Sequence, residues 1–490
     1  MSDAGAALAA AVVVSGAVAG ERLGPSPGGW ALLLAAAAGV AAVLPAGHRR
    51  GRRALGFAAL GLLSVALMQR ALDGLEGPVS QLGAQREPVT ASVELVEDPR
   101  GFPHIVRGLA RVRGSVVAVV AREPAAGRLR LLSAGETAVL SGRLGPLAGT
   151  GQRLRWRHAV ATLAADDLVG AAPPRSPVLR MVNRLRSLVL SGTGRLPDTP
   201  AALTAGLLVG DDRDLPARVA ADFRAAGLSH LLAVSGANVA LVLAVAGPVL
   251  RRWGLGGRFV GGLAVVGVFT AMSRFEPSVL RASTMAGIAL LAGYVGRPAR
   301  GRRLLALAVT GLVLVDPFLI HSLGFQLSVA ASAGILVLAG PLAARLPGPE
   351  PVRNGLAVTA AAQVGVAPVA LPAFGSLPLI AFPANLLAAP AAAGLTLWGF
   401  GSGLAGGLLE PLLPAASGVL AVPTRGLASY LAGVASLAAR CPLAVGPGGA
   451  AGVIAVIALA LGALRLSRRV EPGPPPPPRG VRRGRAHPAP

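Results

Sequence analysis

The stretch Ser229-His-Leu-Leu-Ala-Val-Ser-Gly-Ala-Asn-Val-Ala-Leu-Val-Leu243 opens a long apolar run with polar residues. His230, Ser235, Gly236 and Asn238 lie within what otherwise has the character of a membrane span. Polar groups at that depth are costly unless they are paired or face water, so they are functional candidates. On an unbroken helix the side chains of His230, Ser235 and Asn238 fall within an arc of roughly 140°. The pattern predicts one polar helix face lining a cavity, provided that Ser235–Gly236 does not break the helix. For Ser235 and Gly236, close helix packing remains an alternative.

Composition indicates a membrane protein. The 490 residues are 53% hydrophobic and 14% charged, with repeated apolar runs of spanning length. The single cysteine, Cys441, excludes an intramolecular disulfide and a cysteine-based metal site. The net charge is +24 and every basic residue is an arginine. This excess is compatible with binding to nucleic acid or anionic lipid, or simply with basic cytoplasmic flanks.

Residues 1–76 contain three apolar runs: Ala4–Gly20, Trp30–Ala46 and Ala54–Leu72. The basic segment His48–Arg53 lies between the second and third runs. The positive-inside rule places that segment in the cytoplasm, so the third span exits to the outside.

Residues 77–170 are more polar and predict a small extracytoplasmic all-β domain. Val89, Ala91, Val93 and Leu95 alternate with polar residues, as in a half-buried strand. Further predicted strands are Arg111–Val120, Arg128–Leu132, Thr137–Leu144 and Arg155–Ala164. About five strands at this spacing suit an OB-like barrel. The arginines that could contact DNA are Arg111, Arg113, Arg128, Arg130, Arg155 and Arg157. Because aromatic residues are few, a solvated basic face is the alternative.

Residues 171–227 predict an amphipathic, interfacial segment. Val178–Leu190 has the pattern of a helix at a membrane surface. For Gly210 and Asp211 a structural capping and turn role is favoured over a cation site, since further ligands are missing nearby. No metal site is expected.

Residues 228–466 predict the main membrane domain, and residues 467–490 predict a disordered cytoplasmic tail rich in proline and arginine. Leu427–Ala439 is short enough to lie at the membrane interface. Together with the first three apolar runs, the predicted spans of this domain bring the total to about a dozen. The predicted spans are Leu228–Leu250, Arg258–Phe275, Ser278–Val295, Leu304–Ile320, Leu323–Gly340, Gly355–Ala373, Pro378–Phe400, Gly403–Leu420 and Gly448–Leu466.

A few polar residues stand out in these spans. Arg281 lies near the start of one span, where a charge requires a carboxylate, a phosphate or water. Gln326 and Asn385 are further candidates, and each could instead anchor a helix end or bond between helices. The pair Asp316-Pro317 near a span end is interpreted as a structural motif.

Taken together, these motifs resemble the ComEC-type competence family, the inner-membrane channel for DNA uptake in natural transformation. The matching segments, in order, are Gly206–Asp211, Phe223–Val239, Pro277–Met285, Asp316-Pro317, Gly324–Ser328 and Pro378–Pro390. The resemblance covers about residues 1–466, more loosely in the first 170. Asn238 stands where many members have a histidine, so no acid–base role is expected there. The metallo-β-lactamase-like domain of many members has no counterpart motif in this sequence, so nuclease chemistry is not expected.

The resemblance implies a channel, not an enzyme, that carries single-stranded DNA into the cytoplasm across the bacterial plasma (inner) membrane. DNA would approach through the arginine-bearing domain and enter a cavity. The residues expected to line that cavity are His230, Ser235, Gly236, Asn238, Arg281, Gln326 and Asn385. Expected partners are the DNA backbone, membrane lipids, and separate DNA-receptor, nuclease and cytoplasmic motor proteins, with a homo-oligomer left open. No cofactor is expected.

Two other functions remain as alternatives. A transporter of a small molecule or lipid on the same scaffold would need an ion-coupled carboxylate at mid-membrane. Asp316 and Glu276 both lie near span ends, which disfavours it. A membrane nuclease would need a metal cluster that the sequence does not offer. No Gly-x-x-x-x-Gly-Lys motif is present, so energy is expected from other proteins or the proton gradient.

Overall fold

A computed structural model describes residues 2–26, 29–42, 49–102, 105–193, 196–232, 234–441 and 444–445. The chain folds into three N-terminal helices, a β-barrel and a large helical domain. The predicted span Gly448–Leu466 and the predicted tail 467–490 lie outside the described residues.

Three apolar helices precede the barrel, as hydropathy predicts: α1 (Asp3–Leu23), α2 (Gly29–Ala42) and α3 (Arg49–Asp73). Helices α1 and α3 approach closely at Gly16, where a Cβ would lie 2.7 Å from the Gly61 carbonyl oxygen. The buried Ser64 hydroxyl donates to the Val13 carbonyl at 2.6 Å. Small residues and internally satisfied hydroxyl groups are what close helix packing in lipid requires.

The polar region that follows is a small β-barrel. Strands β1, β3, β4, β6 and β5 close a ring, because β1 pairs with both β3 and β5. The β4–β6 pair is parallel and the other pairs are antiparallel. Strand β2 is not part of the ring and pairs only with β3 among the described strands. Buried Val93, Leu95, Leu140 and Leu163 fill the centre. The bounds are α4 (Pro78–Gln85), β1 (Pro88–Leu95), β2 (Arg100–Phe102), β3 (Ile105–Val112), β4 (Ser115–Ala121), α5 (Ala125–Leu129), β5 (Thr137–Gly145), a 3-10 segment (Gly149–Arg157) and β6 (Ala159–Ala172).

A small barrel was predicted, but three strand assignments need correction. Arg128–Leu132 is not a strand: Ala125–Leu129 forms α5, whose apolar residues have the spacing of a helix and enter the barrel core. The predicted strand Arg111–Val120 is interrupted by a turn at Arg113–Gly114, where both residues have positive φ. The strand predicted from Arg155 begins at Ala159, after the 3-10 segment.

Three helices connect the barrel to the membrane domain: α6 (Pro177–Ser191), α7 (Asp198–Val209) and α8 (Ala217–Ala225). Helix α6 is amphipathic, since Val182 and Val189 are buried while Arg180 and Arg184 are exposed. Helix α7 is buried along most of its length. It is apolar all round, which suits a core helix better than a surface helix.

The membrane domain is built from ten helices among the described residues. Its two short strands, β7 (Leu377–Pro378) and β8 (Ala444–Val445), form a two-residue antiparallel pair. A π-helical stretch, Ile335–Ala339, joins α14 to α15. The bounds are α9 (Ser229–Leu232), α10 (Gly236–Leu250), α11 (Leu255–Met272), α12 (Pro277–Tyr294), α13 (Gly301–Val315), α14 (Leu323–Gly334), α15 (Gly340–Ala343), α16 (Glu350–Phe374), β7 (Leu377–Pro378), α17 (Ala381–Leu409), α18 (Pro414–Ala439) and β8 (Ala444–Val445).

Four predicted segments differ from these helices. The predicted span Leu228–Leu250 is broken between α9 and α10. The spans predicted as Pro378–Phe400 and Gly403–Leu420 are replaced by α17, which continues to Leu409, and by α18. Helix α18 also includes Leu427–Ala439, which was expected to be a short interfacial segment. Apolar composition alone does not locate the turn between consecutive helices.

Six described helices are long and apolar enough to cross a membrane: α1, the Arg53–Asp73 part of α3, α11, the Leu323–Ala343 stretch, α16 and α17. The protein is therefore a multi-pass membrane protein. Two shorter apolar helices, Gly29–Gly39 and α10, add to them. The total of about a dozen spans stays a prediction.

The helix ends show on which side of the membrane domain the basic loops lie relative to the barrel, while the extracytoplasmic side of the barrel stays a prediction. Arg274 and Glu276, after the end of α11, form ion pairs with barrel residues, whereas Arg251 and Arg252 precede its other end. Helix α12 starts beside the barrel and leads to the basic stretch 297–303 at its far end. Both basic loops thus lie at the helix ends distant from the barrel, as the positive-inside rule requires for an extracytoplasmic barrel.

Candidate functional site

The polar stretch of the sequence forms a break between two helices. Ser235 has extended backbone (φ −92°, ψ 156°) and begins α10 as its N-cap. Its hydroxyl donates to Oδ1 of Asn238 at 3.2 Å. The Asn238 amide donates in turn to the Leu207 carbonyl of α7 at 3.1 Å. Because the helix is broken, His230 does not share one helix face with Ser235 and Asn238, and the single-face geometry is not formed.

Arg281 lies beside this break. It is 9% exposed, and its Nε donates to the Ser328 hydroxyl of α14 at 2.9 Å. Its Nη1 lies 3.2 Å from the Met285 sulfur. A Cβ on Gly236 would lie 2.5 Å from Arg281 Nη2, so glycine leaves room for the guanidinium. No carboxylate of the described residues lies within 4.0 Å of this guanidinium. A buried arginine with no carboxylate counter-ion among the described residues is suited to a transient anion.

His230 and Asn385 belong to a second contact. His230 lies in α9 with its ring in hydrogen-bonding reach of the Gly227 carbonyl. Its side chain is exposed. A Cβ on Gly227 would lie 2.6 Å from the Ala381 Cβ, so this turn packs on the start of α17. Asn385 follows Ala381 by one helical turn and is part-buried. These two candidates therefore lie near one contact between α9 and α17.

The remaining candidates of the membrane domain have local partners. Gln326 donates to the Ile320 carbonyl of the preceding turn. Asp316 accepts from the backbone N–H of Phe318 at 3.0 Å, beginning the 3-10 turn that contains Pro317. It also lies 3.2 Å from Nε2 of His158, a residue of the barrel. Asp316 and Pro317 therefore form a structural turn that also contacts the barrel.

The six candidate arginines of the barrel separate into two groups. Arg128, Arg130 and Arg157 form ion pairs with Asp167, Asp214 and Glu97, respectively. Arg111, Arg113 and Arg155 are exposed, and the Arg155 guanidinium lies 4.6 Å from the centre of the Trp156 ring. Val116 pairs with Ala159, so the β3–β4 turn and the segment with Arg155 lie at the same end of the barrel. The second group is the better candidate for a phosphate-binding surface.

The barrel is joined to the helical domain by a buried charge cluster. Asp98, between β1 and β2, accepts from Arg186 of α6 at 2.8 Å. It also accepts from Arg274, in the turn between α11 and α12, at 3.0 Å. Asp211 follows the left-handed Gly210 at the end of α7 and accepts from Arg213 at 2.7 Å. Gly210 and Asp211 thus form a turn, and Asp211 is in addition part of this cluster.

Electrostatics favour the ionised form of this cluster. Burial alone raises the pKa of Asp98, but Arg186 and Arg274 outweigh it, and the pKa falls to about 2. Burial lowers the pKa of Arg186 to about 10, with Asp98 opposing that change. The hydrogen bond with Asp211 raises the pKa of Arg213. Asp98, Arg186 and Arg213 are therefore charged at neutral pH.

Several residues of the site were not singled out from the sequence. Asp98, Arg186 and Arg274 come from three separate segments and follow no local motif. Ser328 was included in the matching segment but not as a partner of Arg281. Its position two residues after Gln326 was the available signal. Within the described part of the chain, no group of three or more His, Cys, Asp or Glu residues has a metal-binding arrangement.

Comparison with known proteins identifies the family. A family model described as Competence protein matches residues 207–469, more than half of the chain. The chain belongs to the competence protein family. This region of the competence protein contains the helix break, Arg281, Gln326 and Asn385, and the barrel precedes it.

Two curated relatives share part of this competence protein. ComE operon protein 3 of Bacillus subtilis (strain 168) is 24% identical over 245 residues, which cover 49% of this chain and 30% of the relative. Uncharacterized protein YcaI of Escherichia coli (strain K12) is 27% identical over 208 residues, which cover 39% of this chain and 27% of the relative. The match thus spans less than a third of the length of either relative. No solved structure matches the chain.

Proposed function

We propose that this protein is a channel of the bacterial inner membrane that carries single-stranded DNA into the cytoplasm during competence. Membership of the competence family and the multi-pass architecture support this role. The observation that favours it most is Arg281, a buried guanidinium beside a broken helix, with no carboxylate of the described residues as its counter-ion. Guanidinium groups bind phosphate oxygens well, and broken helices in membranes line cavities.

The contacts of Arg281 suit transient binding. Its charge is met only by a hydroxyl and a thioether among the described residues, both of which are weak partners for a guanidinium. A passing phosphate would therefore be attracted without meeting a fixed anion that competes for the same N–H groups. Conduction requires binding that is favourable enough for entry and weak enough for release.

We propose that the barrel is an OB-type domain at the outer entrance of this path. It is a closed five-stranded ring, and OB-folds of this architecture bind oligonucleotides. Arg111, Arg113 and Arg155, which are exposed, would contact the phosphate backbone there. From this entrance the strand would pass towards Ser235, Asn238 and Arg281, with His230, Gln326 and Asn385 as further lining residues.

The distribution of acidic residues favours a channel over an ion-coupled transporter. In the described membrane helices, Asp and Glu occur only at helix ends, as Asp3, Glu21, Asp73, Glu350 and Glu410 do. Ion-coupled transporters place their coupling sites near mid-membrane. We accordingly propose that separate proteins supply the driving force, the nuclease that removes one strand and the DNA receptor. Measuring DNA uptake tests whether the cargo is DNA.

The experiment measures uptake of fluorescent DNA into a DNase-protected form in the native host. A deletion strain is complemented with the wild-type protein, with Arg281→Met or with an Arg258→Met control at matched membrane levels. We expect loss of protected DNA in the deletion strain and with Arg281→Met, while DNA bound at the cell surface is retained. Undiminished uptake in the deletion strain would reject the DNA channel and favour transport of a small molecule or lipid.

A further inference from the structure

We infer that Asp98 is a positioning residue through which the barrel holds the helix break in place. The Asp98 side chain is only 12% exposed and contacts two arginines of the helical domain. Its Oδ2 lies 2.8 Å from Arg186 Nη2, and its Oδ1 lies 2.8 Å from Arg274 Nη2. Each arginine begins a series of contacts that leads to the break.

The first series runs through α7. Arg186 Nη1 donates to the Val209 carbonyl at 2.5 Å and also to the Met272 carbonyl. Val209 is the last residue of α7, and Leu207, two residues earlier, accepts the hydrogen bond from Asn238. Because Arg186 holds the end of α7 against the barrel, it also fixes the carbonyl that positions Asn238.

The second series runs through α12. Arg274 and the next residue, Phe275, both have φ of 55°, a left-handed conformation that such residues rarely adopt. Arg274 is held by Asp98 and by Asn183 of α6, whose side-chain Oδ1 accepts from Arg274 Nη1 at 2.8 Å. This turn sets the start of α12, where the Ser278 hydroxyl donates to the Val234 carbonyl at 2.9 Å.

Both series end within the same five residues, Val234 to Asn238. The second also positions Arg281, which follows Ser278 by about one helical turn and contacts Gly236. A single barrel carboxylate thus determines both sides of the break. Without it, Arg186 and Arg274 would repel each other in a buried site, with Asp211 at 3.6 Å from Arg186 as the nearest remaining anion.

An exposed ion pair across the same interface provides a matched control. Asp214 pairs with Arg130 of the barrel at 2.7 Å, but its side chain is 80% exposed. Exposed pairs contribute little to stability, whereas loss of one partner from a buried pair is costly. Asp98→Asn and Asp214→Asn therefore make the same chemical change at a buried and an exposed position.

The test measures the position of the break directly in the full-length protein in membranes. Cys441 is replaced by serine, Ser235→Cys is introduced as a reporter, and its rate of maleimide labelling is measured. We expect Asp98→Asn to raise this rate about threefold or more, because the break opens more often. Asp98→Glu should restore the rate, and Asp214→Asn should leave it unchanged.

If Asp98→Asn lowers the membrane level, the double variant with Arg274→Gln removes the uncompensated charge, and its labelling rate should still be raised. An unchanged labelling rate in Asp98→Asn and in the double variant would overturn the inference. An equal rise with Asp214→Asn would also overturn it. The relevance to transport rests on the proposed function, so DNA uptake is measured in the same strains. If wild-type cells take up no DNA, the proposed function fails, while the labelling rates still decide the role of Asp98.

Discussion

The Arg281→Met variant tests whether Arg281 has a functional or a structural role, because the two roles predict different changes in stability. Methionine has a similar length and is apolar, so it fills most of the space. Arginine within a membrane helix costs about 3 kcal/mol on insertion scales. The charge-assisted hydrogen bond to Ser328 returns about 1.5–3 kcal/mol. The insertion cost and the hydrogen-bond gain nearly cancel. No further penalty is expected, because the described residues provide no carboxylate that the substitution would leave unpaired.

The substitution should therefore change the free energy of unfolding by no more than about 1.5 kcal/mol. In thermal unfolding of the detergent-solubilised protein, this corresponds to a change in Tm of no more than about 4 °C. Uptake of DNase-protected DNA should fall by about tenfold or more, because the loss of one charge-assisted phosphate contact is worth about 1.5–3 kcal/mol.

Arg258→Met is the control, because Arg258 is an exposed arginine near the start of α11. It should alter neither Tm nor uptake. If Arg281→Met instead destabilises the protein by more than about 3 kcal/mol and leaves uptake per folded molecule unchanged, Arg281 is structural and the reasoning is wrong.

Three further predictions concern the break, the barrel and pH. Asn238→Leu should destabilise the protein by about 1–3 kcal/mol in thermal unfolding, because it leaves a buried α7 carbonyl without its donor; an unchanged Tm would contradict this. Arg111→Gln with Arg113→Gln should weaken binding of single-stranded DNA to the purified protein and reduce the salt slope by about 1.4, whereas Arg128→Gln, which removes a guanidinium already paired with an aspartate, should not. The depressed pKa of Asp98, about 2 against an ordinary 3.8, stabilises the docked barrel above pH 4, and this stabilisation is lost as pH falls towards 2. Limited proteolysis should thus find the same docked barrel from pH 8 to pH 5, and release of the barrel within that range would be inconsistent with this ion pair.

The membrane helices and the barrel could be predicted because their patterns are local. Apolar runs identify α11, α12 and α16 to within a few residues, and alternation identifies β1. Arg281 was identified because a charge in an apolar span is conspicuous. That no carboxylate in the described part of the chain pairs with it is a property of the packed structure and could not be predicted.

The break at Ser235 and the cluster around Asp98 illustrate what local patterns omit. The helical pattern continues through Ser235, so polarity alone did not show that α9 and α10 are separate helices. Asp98 meets Arg186 and Arg274 across 88 and 176 positions of sequence, and no periodicity connects residues that far apart. Arg128 and its neighbours alternate as a strand does, but the apolar residues before them bury better as a helix.

The central claim is that DNA passes the helix break, and photocrosslinking during uptake tests it most directly. Competent cells are given DNA with a photoreactive base and a 5′ block that arrests it partway, and crosslinked peptides are identified by mass spectrometry. The proposed path predicts crosslinks in the Ser235–Asn238 segment and in the first turns of α12 and α14, and their loss with Arg281→Met. Crosslinks confined to the barrel, or to other proteins of the uptake system, would contradict a path through this membrane domain.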